Sequence, residues 1–221
     1  MSSSSATVRE LVQRAAAKWP QRVYALDTEG RNALTFDALA ASCRRVAALL
    51  EEQGSKPGDT VSLVMPNGLM TLQLLLGAMH GGWCVNPVNL LSQPEQMRHV
   101  LGHSDSKLVF VSAQWETAVR AALEGVDREV TVIVVAADAT SVPSRMPPPS
   151  SSAVPIQASN QGSGQGGDPA SRVEDDAALR REDSGAAHRV ALLMYTSGTT
   201  GVPRGVMLSH ANRSANARAI S

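Results

Sequence analysis

Ten consecutive residues, Thr196-Ser197-Gly198-Thr199-Thr200-Gly201-Val202-Pro203-Arg204-Gly205, bring together hydroxyls, glycines and one permanent cation. Those residue types make a grip for anionic oxygens. Glycine permits positive φ angles and a close approach of backbone to ligand, expected here at Gly198, Gly201 and Gly205. Successive backbone N–H groups then converge on phosphate. Thr196, Ser197, Thr199 and Thr200 add hydroxyl donors, and Arg204 adds a guanidinium fork that pairs with phosphate through two hydrogen bonds. The bland alternative is a Gly/Thr-rich turn that holds no ligand. A Walker A loop is excluded, because it needs glycine, four residues and then Gly-Lys-Ser/Thr. Counting from Gly198 arrives at Pro203, and counting from Gly201 arrives at Val206.

Several elements must position this loop. The apolar run Val190-Ala191-Leu192-Leu193-Met194-Tyr195 predicts a buried strand that empties into it. Pro203 stiffens the exit, and Ser209 predicts the N-cap of a helix beginning near His210. Upstream, residues 8–19 predict a short amphipathic helix ended by Pro20, and residues 23–26 and Leu34 predict strand pieces around a Glu29-Gly30-Arg31-Asn32 turn. Phe36, Leu39, Ala40, Cys43, Val46, Ala47 and Leu50 recur at helical spacing, with Thr35 and Gly54 as caps. Strands are expected at 60–65, 83–85, 107–111 and 130–135, alternating with helices at 69–80, 94–103 and 113–123. That alternation predicts an α/β fold with a mostly parallel sheet joined through crossover helices. There is no internal repeat.

The chain has 221 residues, 43% hydrophobic and 18% charged, which suits an ordinary globular protein. Its 20 basic and 20 acidic residues cancel, so nothing favours a nucleic acid or an anionic membrane. From about 141 to 167 the composition turns to Ser, Pro, Gly and Gln, a stretch too poor in apolar groups to offset its ordering entropy. The division expected is therefore 1–140 as an α/β part, 141–185 as a low-complexity insertion or linker and 186–221 as strand, loop and helix.

The string from Tyr195 to Val206, continued by Met207-Leu208-Ser209-His210-Ala211-Asn212, resembles the signature loop of the AMP-binding, adenylate-forming superfamily of acyl-CoA synthetases, luciferases and peptide-synthetase adenylation domains. Upstream strings are similar in the same order: Leu34-Thr35-Phe36-Asp37-Ala38-Leu39, Gly58-Asp59-Thr60-Val61 with Met65-Pro66-Asn67, and Leu76-Gly77-Ala78-Met79-His80-Gly81-Gly82 with Asn86-Pro87-Val88-Asn89. The resemblance implies the N-terminal part of that fold and an AMP-forming ligase that activates a fatty or other organic acid to an acyl-adenylate and passes it to CoA. A peptide-synthetase adenylation domain is the alternative within the family, and an inactive nucleotide-binding or interaction fragment the alternative outside it. It implies that Thr196, Ser197, Gly198, Thr199, Thr200, Gly201 and Arg204 hold the β- and γ-phosphates of ATP, with Mg²⁺ neutralising charge. Arg204 stands where the family usually has lysine. Family members are much longer, and their pocket residues, magnesium ligand and catalytic lysine follow the loop. The chain is thus expected to be an incomplete part of such an enzyme, without catalytic or metal-binding residues of its own.

Other signals carry less. Gly162-Ser163-Gly164-Gln165-Gly166-Gly167 fits a dinucleotide-binding pattern but has no strand before it. Asn212-Arg213-Ser214 fits a glycosylation sequon inside an expected helix. Cys43 and Cys84 are expected as buried small hydrophobes, and Trp19, Trp83 and Trp115 as core or boundary packing. His80, His99 and His103 approach no carboxylate cluster; His99 and His103 share a helix face and are expected to be solvated or capping. His210 is expected to start a helix and shape the loop indirectly. The N-terminus lacks the pattern of a secretory signal, and residues 69–79 fall far short of the ~20 apolar residues a membrane span needs. A cytoplasmic location is the expectation.

Overall fold

A computed structural model describes residues 6–143, 186–197 and 203–212. Helix α1 (Val8–Lys18) opens on Thr7, whose hydroxyl accepts from the Glu10 N–H while the Glu10 carboxylate accepts from the Thr7 N–H. A two-stranded antiparallel pair follows, β1 (Val23–Leu26) with β2 (Ala33–Thr35). Thr35 caps α2 (Phe36–Glu52) as expected, accepting from the Ala38 N–H at 3.3 Å.

The main sheet is built from β3 (Thr60–Val64), β4 (Cys84–Pro87), β5 (Ser106–Val111), β6 (Thr131–Val134), β7 (Val190–Ser197) and β8 (Pro203–Ser209). Their order is β6-β5-β3-β4-β7-β8. All pairings are parallel except β7 with β8. The crossovers are α3 (Leu69–Gly81), α4 (Pro94–His103) and α5 (Glu116–Leu123), and α5 is preceded by a single 3₁₀ turn over Ala113–Trp115. The expected α/β fold with a mostly parallel sheet is therefore present.

Parallel strands covered on both faces read as continuous apolar runs. Here the two-residue period still sorts them. Val61, Leu63, Leu108, Phe110 and Ile133 pack with α1, α2 and α3, whereas Val64, Val109, Val111 and Val132 pack with α4 and α5. Helix α3 is apolar on nearly every side because it is buried beneath α2. Gly77 makes that possible: a Cβ there would stand 2.5 Å from the Cβ of Val46. Polar groups within the sheet pair with one another, Asn86 Nδ2 donating to Ser62 Oγ at 2.8 Å and Ser62 meeting Ser106 at 2.6 Å.

Three details depart from expectation. Strand β4 begins one residue later than expected, because the Trp83 N–H still bonds to Ala78 O at 3.0 Å and closes the helix end where Gly82 turns left-handed at φ +97°. Trp83 is fully buried, with its indole N–H on Ser55 Oγ at 2.8 Å, but Trp19 is 42% exposed beneath the cations of Lys18 and Arg22. The packed part reaches past 140: Val142 is buried and its carbonyl accepts from Arg45 at 3.1 Å. Most of the expected insertion, including residues 162–167, lies outside the described residues.

Candidate functional site

Ligands of open α/β sheets bind beyond the carboxyl ends of the parallel strands. β7 runs parallel to β4 and ends at Ser197, so the connection to β8 leaves from that end. Gly198, Thr199, Thr200 and Gly201, together with Val202, lie outside the described residues. What the structure places is the pair of stems. Thr196 stands opposite Arg204 and Ser197 opposite Pro203. Residues directly opposite in an antiparallel pair share a face, so the Thr196 side chain and the Arg204 guanidinium stand together at the mouth of the loop, both exposed.

A strand that was not expected lies between the loop and the helix. Pro203 opens it, it runs for seven residues, and the helix begins at His210, as expected. The apolar stretch Val206-Met207-Leu208, bounded by Pro203 and Ser209, carries a strand signal of its own. β7 supplies the ladder partners that make it a strand. Ser209 does cap the helix, its Oγ accepting from the Asn212 N–H at 3.2 Å. Gly205 also differs. Its φ is not positive; it faces Tyr195, and a Cβ there would meet Leu193 Cδ1 at 3.3 Å and the Tyr195 ring at 3.4 Å. The glycine lies in a snug but extended strand position, not in a left-handed turn.

His103 is exposed, as expected, and His99 half-buried, but both also contact the loop stems. His99 Nε2 lies 3.1 Å from the Pro203 carbonyl, and His103 Nδ1 lies 2.8 Å from the Tyr195 hydroxyl. A carbonyl oxygen only accepts, so the His99 Nε2–H donates. Their rings stack at 5.6 Å, and the Tyr195 ring meets His103 edge-on at 5.8 Å. Spacing put the two histidines on one face; only the tertiary fold shows that this face meets the loop stems.

Other titratable groups lie elsewhere. His210 is buried at the far end of β8, where its Nδ1 accepts from the Val8 N–H at 3.3 Å. It therefore ties the start of α1 to the hairpin base and not to the loop. His80 is buried at the C-terminal end of α3, at the opposite end of the sheet from the loop, with no hydrogen-bond partner on either ring nitrogen. Burial, followed by the charges of Arg9 and Arg44, lowers its pKa below 6.5. Burial pushes the Cys43 thiol up to about 12, which makes it inert. Among the described residues no group of three His, Cys, Asp or Glu side chains is placed to hold a metal ion, and no helix is long and apolar enough to cross a membrane.

The model of the AMP-binding enzyme family matches residues 12–221. The chain belongs to that family. A sulfoacetate–CoA ligase of Cupriavidus necator is 39% identical to this AMP-binding chain over 215 residues, covering 97% of the chain and 37% of the ligase. A long-chain-fatty-acid–CoA ligase of Bacillus subtilis is 24% identical over 220 residues, covering 95% of the chain and 38% of the ligase. The crystal structure of a long-chain-fatty-acid–CoA ligase from Archaeoglobus fulgidus superposes with a TM-score of 0.68 at 21% identity, over 98% of this chain and 39% of that one. The fold is thus that of the N-terminal part of adenylate-forming enzymes. The chain spans well under half the length of these ligases.

Proposed function

We propose that this AMP-binding chain holds the β- and γ-phosphates of ATP in the loop between β7 and β8, for activation of a carboxylic acid and transfer of its acyl group to CoA. The observation that carries this reading is the pairing of Thr196 and Arg204, exposed side by side where the strand leaves the carboxyl end of the sheet. Thr196, Ser197, Gly198, Thr199, Thr200, Gly201 and Arg204 are the proposed phosphate ligands. A carboxylate oxygen attacks the α-phosphorus, forming the acyl-phosphate bond as the bond to pyrophosphate breaks. The CoA thiolate then attacks the acyl carbon and AMP leaves. Mg²⁺ would supply neutralisation of phosphate charge on the bound nucleotide. In this reading the AMP-binding part comprises residues 1–140, extended by the packed Val142, and 186–221, with the rest of 141–185 as an insertion or linker and the cytoplasm as the location.

The 39% identity to a sulfoacetate–CoA ligase makes a small anionic acid the first substrate to test, ahead of a fatty acid. Coverage of only 37% of that ligase favours a second reading, in which the chain holds nucleotide but completes no reaction alone. Carboxylate-dependent ATP–pyrophosphate exchange with sulfoacetate, acetate and a long-chain fatty acid separates the two: exchange by the chain alone assigns it the first step, and ATP binding without exchange assigns it the grip only. Calorimetric titration with MgATP tests the grip itself. Arg204→Ala is expected to weaken binding about tenfold or more, as loss of a charge-assisted hydrogen bond does, while Arg204→Lys keeps the cation. Equal affinity of Arg204→Ala and the parent chain sinks the assignment.

A further inference from the structure

We propose that His99 and His103 are positioning residues for the phosphate loop, gripping its two stems from α4 and so setting their separation. This rests on the phosphate reading above. The two histidines lie four residues apart on one helix, one turn along the same face. One reaches the exit stem at Pro203 and the other the entry stem at Tyr195. The α4 helix therefore touches both sides of the loop mouth.

The mouth needs such support. β7 is held to the sheet interior by β4 through the single register pair Val85–Leu192, and β4 ends two residues beyond that pair, at Pro87. Among the described residues Tyr195, Thr196 and Ser197 lie beyond that point and pair with β8, while the Tyr195 ring also packs on the α4–α5 side of the sheet. At Pro203 the ladder also lacks a donor, because proline has no N–H. The Pro203 carbonyl is the group that His99 engages. The two imidazoles stack at 5.6 Å, so the two contacts are made by adjoining rings on one helix face.

The amide of glutamine reaches where Nε2 sits, and that of asparagine where Nδ1 sits. His99→Gln and His103→Asn should therefore keep the grip, whereas His99→Leu and His103→Leu should lose it. In the 221-residue chain each leucine variant is expected to bind MgATP about fivefold more weakly, the scale of one hydrogen bond, with an unchanged melting temperature. Amide hydrogen exchange at Tyr195, Thr196 and Arg204 should speed up in the same variants. Unaltered affinity and exchange in both leucine variants overturns the proposal, as does failure of the matched amides to rescue. If the parent chain binds no MgATP, the phosphate reading falls. Hydrogen exchange still decides whether the histidines hold the stems, with unchanged rates overturning the proposal.

Discussion

Strands β3 and β5 and the hairpin β7–β8 belong to one sheet but are packed in contrasting ways. Every residue of β3 is buried, and apart from Lys107 so is all of β5, between α3 on one side and α4 with α5 on the other. On the hairpin, Met194 and Val206 stand opposite each other, 43% and 44% exposed. Arg204, Gly205 and Val206 are all exposed in succession. The central strands are held by burial on two faces, whereas the hairpin is anchored at its base by β4 and the buried Ala191 and Leu193 and becomes exposed toward the loop, where its own ladder and contacts from α4 hold it. The region that sustains the fold and the region proposed to do the chemistry are therefore different parts of the sheet, and substitutions should separate them.

The largest effect is expected at the centre. Phe110 is fully buried against the α1–α3 side, and Phe110→Ala should cost about 3–5 kcal/mol by chemical denaturation. A loss under about 1 kcal/mol would show that the centre is not packed as described.

A smaller, pH-dependent effect is expected at His80. Its lowered pKa means that the unfolded chain binds a proton more readily than the folded one. Stability should therefore be fully present above pH 6.5 and fall as the pH drops from there toward the folded pKa, with a slope of at most about 1.4 kcal/mol per pH unit from this group. His80→Leu removes two unpartnered buried nitrogens and should flatten that slope without loss of stability at neutral pH. An unchanged pH profile would contradict the assignment.

The smallest change is expected on the hairpin face. Met194→Thr with Val206→Thr should alter stability by less than about 0.5 kcal/mol, as exposed substitutions do, and should raise the solubility of the chain by removing an apolar pair from its surface. A loss comparable to that of Phe110→Ala would erase the contrast between the two regions.

Much of this was legible before any coordinates. Caps at Thr35 and Ser209, the break at Gly82 and the strand–helix alternation from Thr60 to Val134 are local signals, and they appear in the fold within a residue or two. Strand β8 is hardly legible locally, because its apolar stretch is short and its ladder partner β7 makes it a strand. Gly205 is a strand residue beside Leu193 and Tyr195, not the positive-φ turn that its place in the motif suggests.

For the candidate site, the sequence by itself determined the residue types: three glycines, four hydroxyls and a cation following an apolar strand, a set that suits phosphate whatever surrounds it. Their mutual placement depends on strand pairing and on a helix about a hundred residues earlier, which no local pattern encodes. Only the tertiary structure set Thr196 beside Arg204 and brought His99 and His103 against the loop stems. Chemistry at a site is carried by side-chain identity, which is local, whereas geometry is carried by contacts between segments far apart in the chain, which exist only once the sheet has formed.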